Sequence, residues 1–208
     1  MKDLILIGKQ GSGKGTQAKI LAEKFGFEIF ETGAELRRIA TKDSELGHTV
    51  KEITTRGDLV SNKVVMEIVE NFLKNLSGEV PIIFDGIPRS EEQRKSVEKL
   101  MENHEREFSV LEVRLSNDEA LKRLTIRGKC NNCGKNFGGG TCPECGSINV
   151  SRRADDNPDS ILKRLENFEK YTTPLLNVWR EHDKVMSIDG EQSVEVVAAE
   201  ILVKLNLK

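Results

Sequence analysis

The chain has 208 residues, a charged fraction of 32% and a formal net charge of -2. This length suits one substantial hydrophobic core with small insertions and excludes two full-sized domains. The balanced charge argues against bulk nucleic-acid binding, which depends on a basic excess. No apolar run approaches the roughly 20 residues that cross a bilayer, and the N-terminus lacks the pattern of a signal peptide. We therefore expect a cytoplasmic protein without a membrane partner.

The most informative stretch lies near the N-terminus, from Asp3 to Gln17, where an apolar run leads into a glycine-rich turn. This pattern predicts a strand, a phosphate-binding loop and a helix that begins near Lys14. The loop N–H groups would point at phosphate, Lys14 would reach the outer phosphates, and the Thr16 hydroxyl would meet a magnesium ion bound to them. The offsets of Lys14 and Thr16 disfavour the alternative, an ordinary glycine-rich turn. The predicted phosphate contacts are Gly11, Ser12, Gly13, Lys14, Gly15 and Thr16.

The rest of the chain alternates apolar runs of strand length with helical patterns. Strands are predicted at residues 27–30, 80–85, 109–115 and 184–189, in addition to the first. Asn62 is predicted to cap a helix, Ser90 and Ser193 are predicted to start helices, and Pro174 is predicted to kink a long one. The alternation predicts an α/β fold with about five parallel strands, helices on both faces and a ligand site at the carboxyl ends of the strands. Asp85 ends a predicted strand at that edge.

All four cysteines lie in one short segment, as the pairs Cys130-x-x-Cys133 and Cys142-x-x-Cys145. Two such pairs can present four thiolates to one tetrahedral zinc ion. A redox pair is the main alternative, but two pairs in a glycine-rich segment favour a metal. Four protein ligands leave no open position, so the predicted zinc is structural and folds a segment too small to form a core.

Several further motifs occur in a fixed order along the chain. They are Gly13-Lys14-Gly15-Thr16-Gln17, Thr32-Gly33 with Leu36-Arg37, Asp85-Gly86-Ile87-Pro88-Arg89 with Gln93, Arg123 with Arg127, the run from Arg153 to Asp156, and Lys163-Arg164. With these motifs the chain resembles the adenylate kinase family of nucleoside monophosphate kinases from its first strand to its last helix. The resemblance implies reversible transfer of a phosphoryl group from magnesium-bound ATP to AMP, giving two ADP.

The resemblance also implies a division of the chain into three parts. Residues 1–30, 61–122 and 158–208 would form a P-loop kinase core, residues 31–60 an inserted helical lobe that binds the monophosphate, and residues 123–157 a small zinc-binding lid. The lid is shorter than the family's long form between its cysteine pairs. We expect a monomer that binds ATP and AMP and no nucleic acid.

By the same resemblance, individual residues receive roles. Those implied to be catalytic are Lys14, Asp85, Arg89, Arg123, Arg153 and Arg164. Besides the phosphate loop, Arg123, Arg127 and Gln192 are implied to bind ATP. The implied AMP contacts are Thr32, Gly33, Arg37, Asp58, Leu59, Val60, Gly86, Ile87, Pro88, Arg89, Gln93, Arg153 and Arg164. The arginine guanidiniums would bind phosphate oxygens, Asp85 would orient waters around magnesium, and Gln93 and Thr32 would form hydrogen bonds with the adenine. Alternatively Asp85 caps a loop, Val60 is ordinary core, and any single arginine is a solvated surface charge.

Four positions depart from the family pattern. Ala34 replaces an aspartate, Gln10 a proline, Ile87 a phenylalanine and Ile126 a glycine. These changes leave open a related kinase that accepts GMP, CMP or UMP, or that uses GTP as donor. A nucleotide-dependent switch or ATPase would leave Arg37, Arg89 and Gln93 without a role. A zinc-ribbon module for nucleic acid or protein would lack the aromatic residues that stack on bases.

Overall fold

The computed structural model describes residues 1–76, 78–153 and 156–207. Ala154 and Asp155, within the motif that begins at Arg153, lie outside the described residues. The strands are β1 Asp3–Ile7, β2 Glu28–Glu31, β3 Ile82–Asp85, β4 Phe108–Arg114, β5 Gly128–Cys130, β6 Asn136–Phe137, β7 Val150–Ser151 and β8 Val185–Asp189. The helices are α1 Lys14–Phe25, α2 Thr32–Ala40, α3 Glu45–Thr55, α4 Asn62–Lys74, α5 Glu91–Asn103, α6 Asn117–Ile126, α7 Pro158–Asn167, α8 Thr173–Glu181 and α9 Val194–Lys204.

The central sheet confirms the predicted fold class. It has five strands in the order β2-β3-β1-β4-β8, and every neighbouring pair is parallel. Because the strands run in the same direction, their carboxyl ends meet at one edge. At that edge Asp85 is the register partner of both Glu31 on β2 and Leu6 on β1.

Alternate residues of β1 point into two separate hydrophobic layers, as expected for a central strand buried on both faces. Leu4 and Leu6 pack with apolar residues of α1 and α9. Ile5 and Ile7 pack with apolar residues of α4, α5 and α8 on the opposite face. The sheet is therefore covered by helices on both sides, and its carboxyl edge is left for loops.

Helix ends follow the capping residues of the sequence with one correction. The hydroxyls of Ser90 and Ser193 accept hydrogen bonds from the first turns of α5 and α9, as predicted. The prediction that Asn62 caps α4 is wrong, because Asn62 is the first helical residue and its amide donates to Glu92 and Ser96 on α5.

The long helix near the C-terminus is interrupted where a kink was predicted. A π-helical turn, Phe168–Thr172, joins α7 to α8 just before Pro174. A wide turn of this kind accommodates a residue that lacks an N–H donor.

The cysteine segment forms a small antiparallel sheet in the order β6-β5-β7, between α6 and α7 in the chain. Across the part of the chain that the structure describes, no helix combines the length and the apolarity needed to cross a membrane.

Candidate active site and metal centre

The loop after β1 encloses the ammonium group of Lys14. This group donates to the carbonyls of Gly8 at 2.6 Å and Lys9 at 2.9 Å, and to the hydroxyl of Ser12 at 3.3 Å. Burial lowers the pKa of Lys14 to about 8, and the nearby carboxylate of Asp85 opposes this shift. The ammonium is thus held at the loop. There it can give up its hydrogen bonds to the carbonyls and form hydrogen bonds to phosphate oxygens.

The loop itself requires glycine at its crest. Gly11 and Gly13 have φ values of 88° and 90°, in the left-handed region that L side chains rarely adopt. A Cβ on Gly13 would meet no atom within 4 Å, so the space in front of this residue is open. Directly behind it, α1 begins at Lys14, and its N-terminal N–H groups face the same space. Loop and helix together form a cradle for an anion.

Asp85 and Glu31 place two carboxylates beside this cradle. Burial raises the pKa of Asp85, and the charge of Lys14 acts against that shift. Glu31 accepts a hydrogen bond from the guanidinium of Arg37 at 2.7 Å. A Cβ on Gly15 would lie 3.5 Å from Asp85 Oδ2, so this glycine packs against the carboxylate. Asp85 is available to a cation in front of the loop.

A second polar cluster follows β3. The Arg89 Nε group donates to the Gly86 carbonyl at 2.8 Å, and the Arg89 backbone N–H donates to Gln93 Oε1 at 2.8 Å. Gln93 and Thr32 are both buried, and the hydroxyl of Thr32 has no hydrogen-bond partner among the described residues. A buried hydroxyl without a partner is costly, so this site fits a ligand that supplies a hydrogen bond.

Arg123 on α6 is joined to the phosphate loop and to the segment after β8. Its guanidinium donates to the carbonyl of Gly190 at 2.8 Å and to that of Gly11 at 3.4 Å, and its Nε donates to Glu119 at 2.8 Å. The arginine predicted to contact ATP therefore lies directly beside the loop.

Two further arginines share one buried carboxylate. Asp156 accepts hydrogen bonds from Arg127 at 2.8 and 2.6 Å and from Arg164 at 2.9 Å. Although burial raises it, the pKa of Asp156 is lowered overall because Arg127 and Arg164 stabilise the charged form. The charge of Arg127 also reaches Lys14, and that of Arg153 reaches Asp85. Arginines from separate segments thus converge on the edge of the sheet that carries Asp85.

Four other predicted contacts have partners or surroundings of their own. Gln192 is exposed and donates to Asp189, and Asp58 pairs with Arg56 at 3.3 Å. Val60 and Ile87 are buried in the larger core cluster. Their implied roles as nucleotide contacts stay predictions. The remaining predicted contacts, at the positions already described or next to them, are Ser12, Thr16, Gly33, Leu59, Gly86 and Pro88.

The four cysteines form a compact cluster. Their sulfur atoms all lie within 4.8 Å of one another, with 3.6 Å between Cys130 and Cys145 and between Cys133 and Cys142. Zinc–sulfur bonds of about 2.3 Å in a tetrahedron place the sulfurs about 3.8 Å apart, so the cluster has the right size.

The two cysteine pairs have the same backbone structure. In one, the Cys130 N–H donates to the Lys135 carbonyl and the Gly134 N–H donates to the Cys130 carbonyl, both at 2.9 Å. In the other, the Cys142 N–H donates to the Ser147 carbonyl and the Gly146 N–H donates to the Cys142 carbonyl, also at 2.9 Å. Each turn is completed by its glycine in the left-handed region, with φ values of 74° and 68°.

Sequence reasoning did not predict three ion pairs near the site. Glu31 pairs with Arg37, Asp156 with Arg127, and Glu169 with Lys9 at 2.8 Å. For Glu31 a signal existed, since it ends a strand next to the one that ends at Asp85. Asp156 lies in one of the predicted motifs, but its pair and that of Glu169 join residues that are remote in the sequence, and no local pattern indicates the partner.

Comparison with known proteins identifies the family of the chain. The family model described as adenylate kinase matches residues 6–184. Proteins named adenylate kinase from Elusimicrobium minutum and Kosmotoga olearia are each 33% identical to the chain. The first match covers 99% of this chain and 99% of the relative, and the second covers 98% of each. One from Allorhizobium ampelinum is 34% identical over 95% of this chain and 96% of its own. The matched segment and the full-length relatives show that the chain belongs to the adenylate kinase family.

Proposed function

We propose that the chain transfers the terminal phosphoryl group of ATP to AMP and so forms two ADP molecules. The observation that carries the proposal is the convergence at one sheet edge of Lys14, Asp85 and arginines from separate segments. One half of the site, the phosphate loop, suits the donor polyphosphate. The other half, with Thr32, Arg37, Arg89 and Gln93, suits a nucleoside monophosphate.

The reaction demands little acid–base chemistry from the protein. An ionised oxygen of the AMP phosphate attacks the terminal phosphorus of ATP, and the bond from that phosphorus to the bridging oxygen breaks. Catalysis then consists of bringing two polyanions together and neutralising the charge on the transferred group. We assign charge neutralisation to Lys14 and to the guanidiniums of Arg89, Arg123, Arg153 and Arg164. Arg127 is assigned to ATP binding.

Two metals fit the donor groups of the chain. Magnesium that arrives with ATP neutralises phosphate charge, and the oxygens of Asp85 and Thr16 are the groups that would face it or its waters. A nearby cation would favour the charged form of Asp85, whose pKa burial raises. Zinc would be held by Cys130, Cys133, Cys142 and Cys145 and would fold the small sheet around them.

We assign the three parts of the chain accordingly. Residues 1–30, 61–122 and 158–208 act as the core, residues 31–60 as the lobe that binds the monophosphate, and residues 123–157 as the lid. The buried amide of Gln93 and the buried hydroxyl of Thr32, which has no hydrogen-bond partner among the described residues, favour an acceptor with a hydrogen-bonding base. Guanine, cytosine and uracil also have such edges, and the name adenylate kinase carried by the relatives favours adenine. We therefore propose adenine as the base, with ATP and AMP as substrates.

A nucleotide panel tests the proposal. Formation of both nucleoside diphosphate products is measured with ATP or GTP as donor and with AMP, GMP, CMP or UMP as acceptor, and AMP should be the preferred acceptor. Arg89→Lys should raise the KM for AMP about tenfold or more, because lysine cannot replace a guanidinium fork. Preference for another acceptor would overturn the substrate assignment. ATP hydrolysis without any acceptor dependence would overturn the transfer reaction and indicate an ATPase.

A further inference from the structure

The π-helical turn between α7 and α8 contacts both halves of the site. From one end of the turn, Glu169 forms an ion pair with Lys9 of the phosphate loop at 2.8 Å. From the other end, the hydroxyl of Thr172 donates to the backbone carbonyl of Arg89 at 2.9 Å. Turns of this type often occur at functional sites. A five-residue segment thus touches the loop assigned to the donor and the loop assigned to the acceptor.

Lys9 links this turn directly to Lys14. Its backbone carbonyl accepts the hydrogen bond from the Lys14 ammonium at 2.9 Å, while its own ammonium reaches Glu169. The Lys9 side chain is only 13% exposed, and its ammonium lies 6.0 Å from the centre of the Phe168 ring. Glu169 is in turn fixed by a hydrogen bond from the Thr173 hydroxyl at 3.0 Å.

The Lys9–Glu169 ion pair anchors the start of the phosphate loop to the turn. Without Glu169, the Lys9 side chain would lose its ion-pair partner and the loop would lose this link. The loop between Lys9 and Lys14 contains Gly11 and Gly13, which restrict the backbone little. The ion pair therefore limits the movement of the backbone that carries the Lys9 carbonyl, which accepts the hydrogen bond from Lys14.

We propose that Glu169 is a positioning residue for the phosphate loop, and that the turn Phe168–Thr172 holds the donor and acceptor loops at a fixed separation. Glu169 acts on Lys14 through Lys9, and Thr172 acts on Arg89 through its backbone carbonyl. The inference rests on the proposed function for the identity of the two nucleotides. It adds to that function a link between the two phosphate sites.

Steady-state kinetics with Glu169→Gln test the first part. We expect kcat/KM for magnesium-bound ATP to fall about fivefold, the effect of losing a partly exposed ion pair, with the KM for AMP within about twofold of the parent value. Glu166→Gln removes the same charge from an exposed position on α7 and should change neither parameter. Thermal unfolding of each variant is followed in parallel, because a general loss of stability would affect both substrates.

A double-mutant cycle distinguishes positioning from an unrelated charge effect. Lys9→Gln alone should match Glu169→Gln, and the double variant should lose no more than either single one. Thr172→Val should produce the opposite pattern, a raised KM for AMP with little change for ATP. The inference is wrong if Glu169→Gln behaves as the parent, if the two single losses add, or if both substrates are affected equally.

Calorimetric binding of magnesium-bound ATP to the same variants keeps the inference separate from the proposed function. If the parent forms no ADP from ATP and AMP, the proposed function fails, and weakened ATP binding by Glu169→Gln still supports the positioning role. If the parent is active and neither its ATP binding nor its kinetics respond to Glu169→Gln, the inference alone fails.

Discussion

Asp156 and Arg127 form a two-point ion pair, with nitrogen–oxygen distances of 2.8 and 2.6 Å and a carboxylate side chain that is only 1% exposed. Arg164 donates to the same carboxylate. The pair joins the start of the small sheet to the segment that leads into α7. Two arginines assigned to phosphate binding therefore depend on one buried acid.

Replacing this acid should destabilise the protein. Asp156→Asn removes the buried negative charge that Arg127 and Arg164 share, so we expect the free energy of unfolding to fall by about 3 kcal/mol. Denaturant titration measures the change. Asp159→Asn removes an exposed carboxylate three residues later and should cost far less. Equal losses for the two variants would contradict a special role for Asp156.

The same carboxylate should make stability depend on pH in the acid range. Arg127 and Arg164 lower the pKa of Asp156 in the folded state despite its burial, so its contribution is present above its unfolded pKa of about 4 and is lost as the pH falls through the folded value. We expect unfolding free energy to decline below about pH 4 in the parent and to decline less steeply in Asp156→Asn. Parallel profiles for the two proteins would show that other groups dominate.

Gly190 should tolerate no side chain. A Cβ there would lie 2.6 Å from the Arg114 carbonyl, 2.7 Å from Val113 Cγ1 and 3.1 Å from the Ser12 carbonyl. Gly190→Ala should therefore push this segment away from the phosphate loop, lower stability by about 2 kcal/mol and raise the KM for ATP. Gly15→Ala serves as the stability control, since its Cβ would make an ordinary contact. A fully stable Gly190→Ala variant would show that the segment can move freely.

ATP binding should weaken in mildly alkaline solution. Burial lowers the pKa of Lys14 to about 8, so the free enzyme loses this positive charge as the pH rises through that value. Between pH 7 and 9.5 we expect the Kd for ATP to rise by up to about thirtyfold, because phosphate prefers the ammonium form. Lys14→Arg should bind more weakly but without this pH dependence, since arginine stays charged. A pH-independent Kd in the parent would contradict the assignment.

The cysteine cluster should carry one zinc ion per chain. Native mass spectrometry should show the metal in the parent and its loss in Cys142→Ser, with a lower midpoint of thermal unfolding. Ile148→Ser changes a residue of the same segment that is 84% exposed, and it should retain the metal. Retention of zinc by Cys142→Ser, or unchanged stability after its loss, would contradict a structural site.

The sequence allowed prediction of those features that local patterns determine. Asp85 could be placed because a continuous apolar run ends at it, and Lys14 because glycines surround it at fixed offsets. The partners of the basic side chains could not be placed, since the Arg127–Asp156 and Lys9–Glu169 pairs form only when distant segments pack together. Asn62 was misjudged as a cap for the same reason, because its side chain contacts α5 and not the first turn of its own helix.

The close packing of Gly190 against Ser12 also bears on the order in which the chain is made. The phosphate loop leaves the ribosome before β8 and the segment that supports the loop, since seven strands and eight α-helices of the described residues, β1 to α8, precede β8. Arg123 likewise finds its Gly190 partner only after β8 has been made. A nascent chain therefore carries the donor loop without this support until then, and we expect nucleotide binding to mature only when β8 joins the sheet.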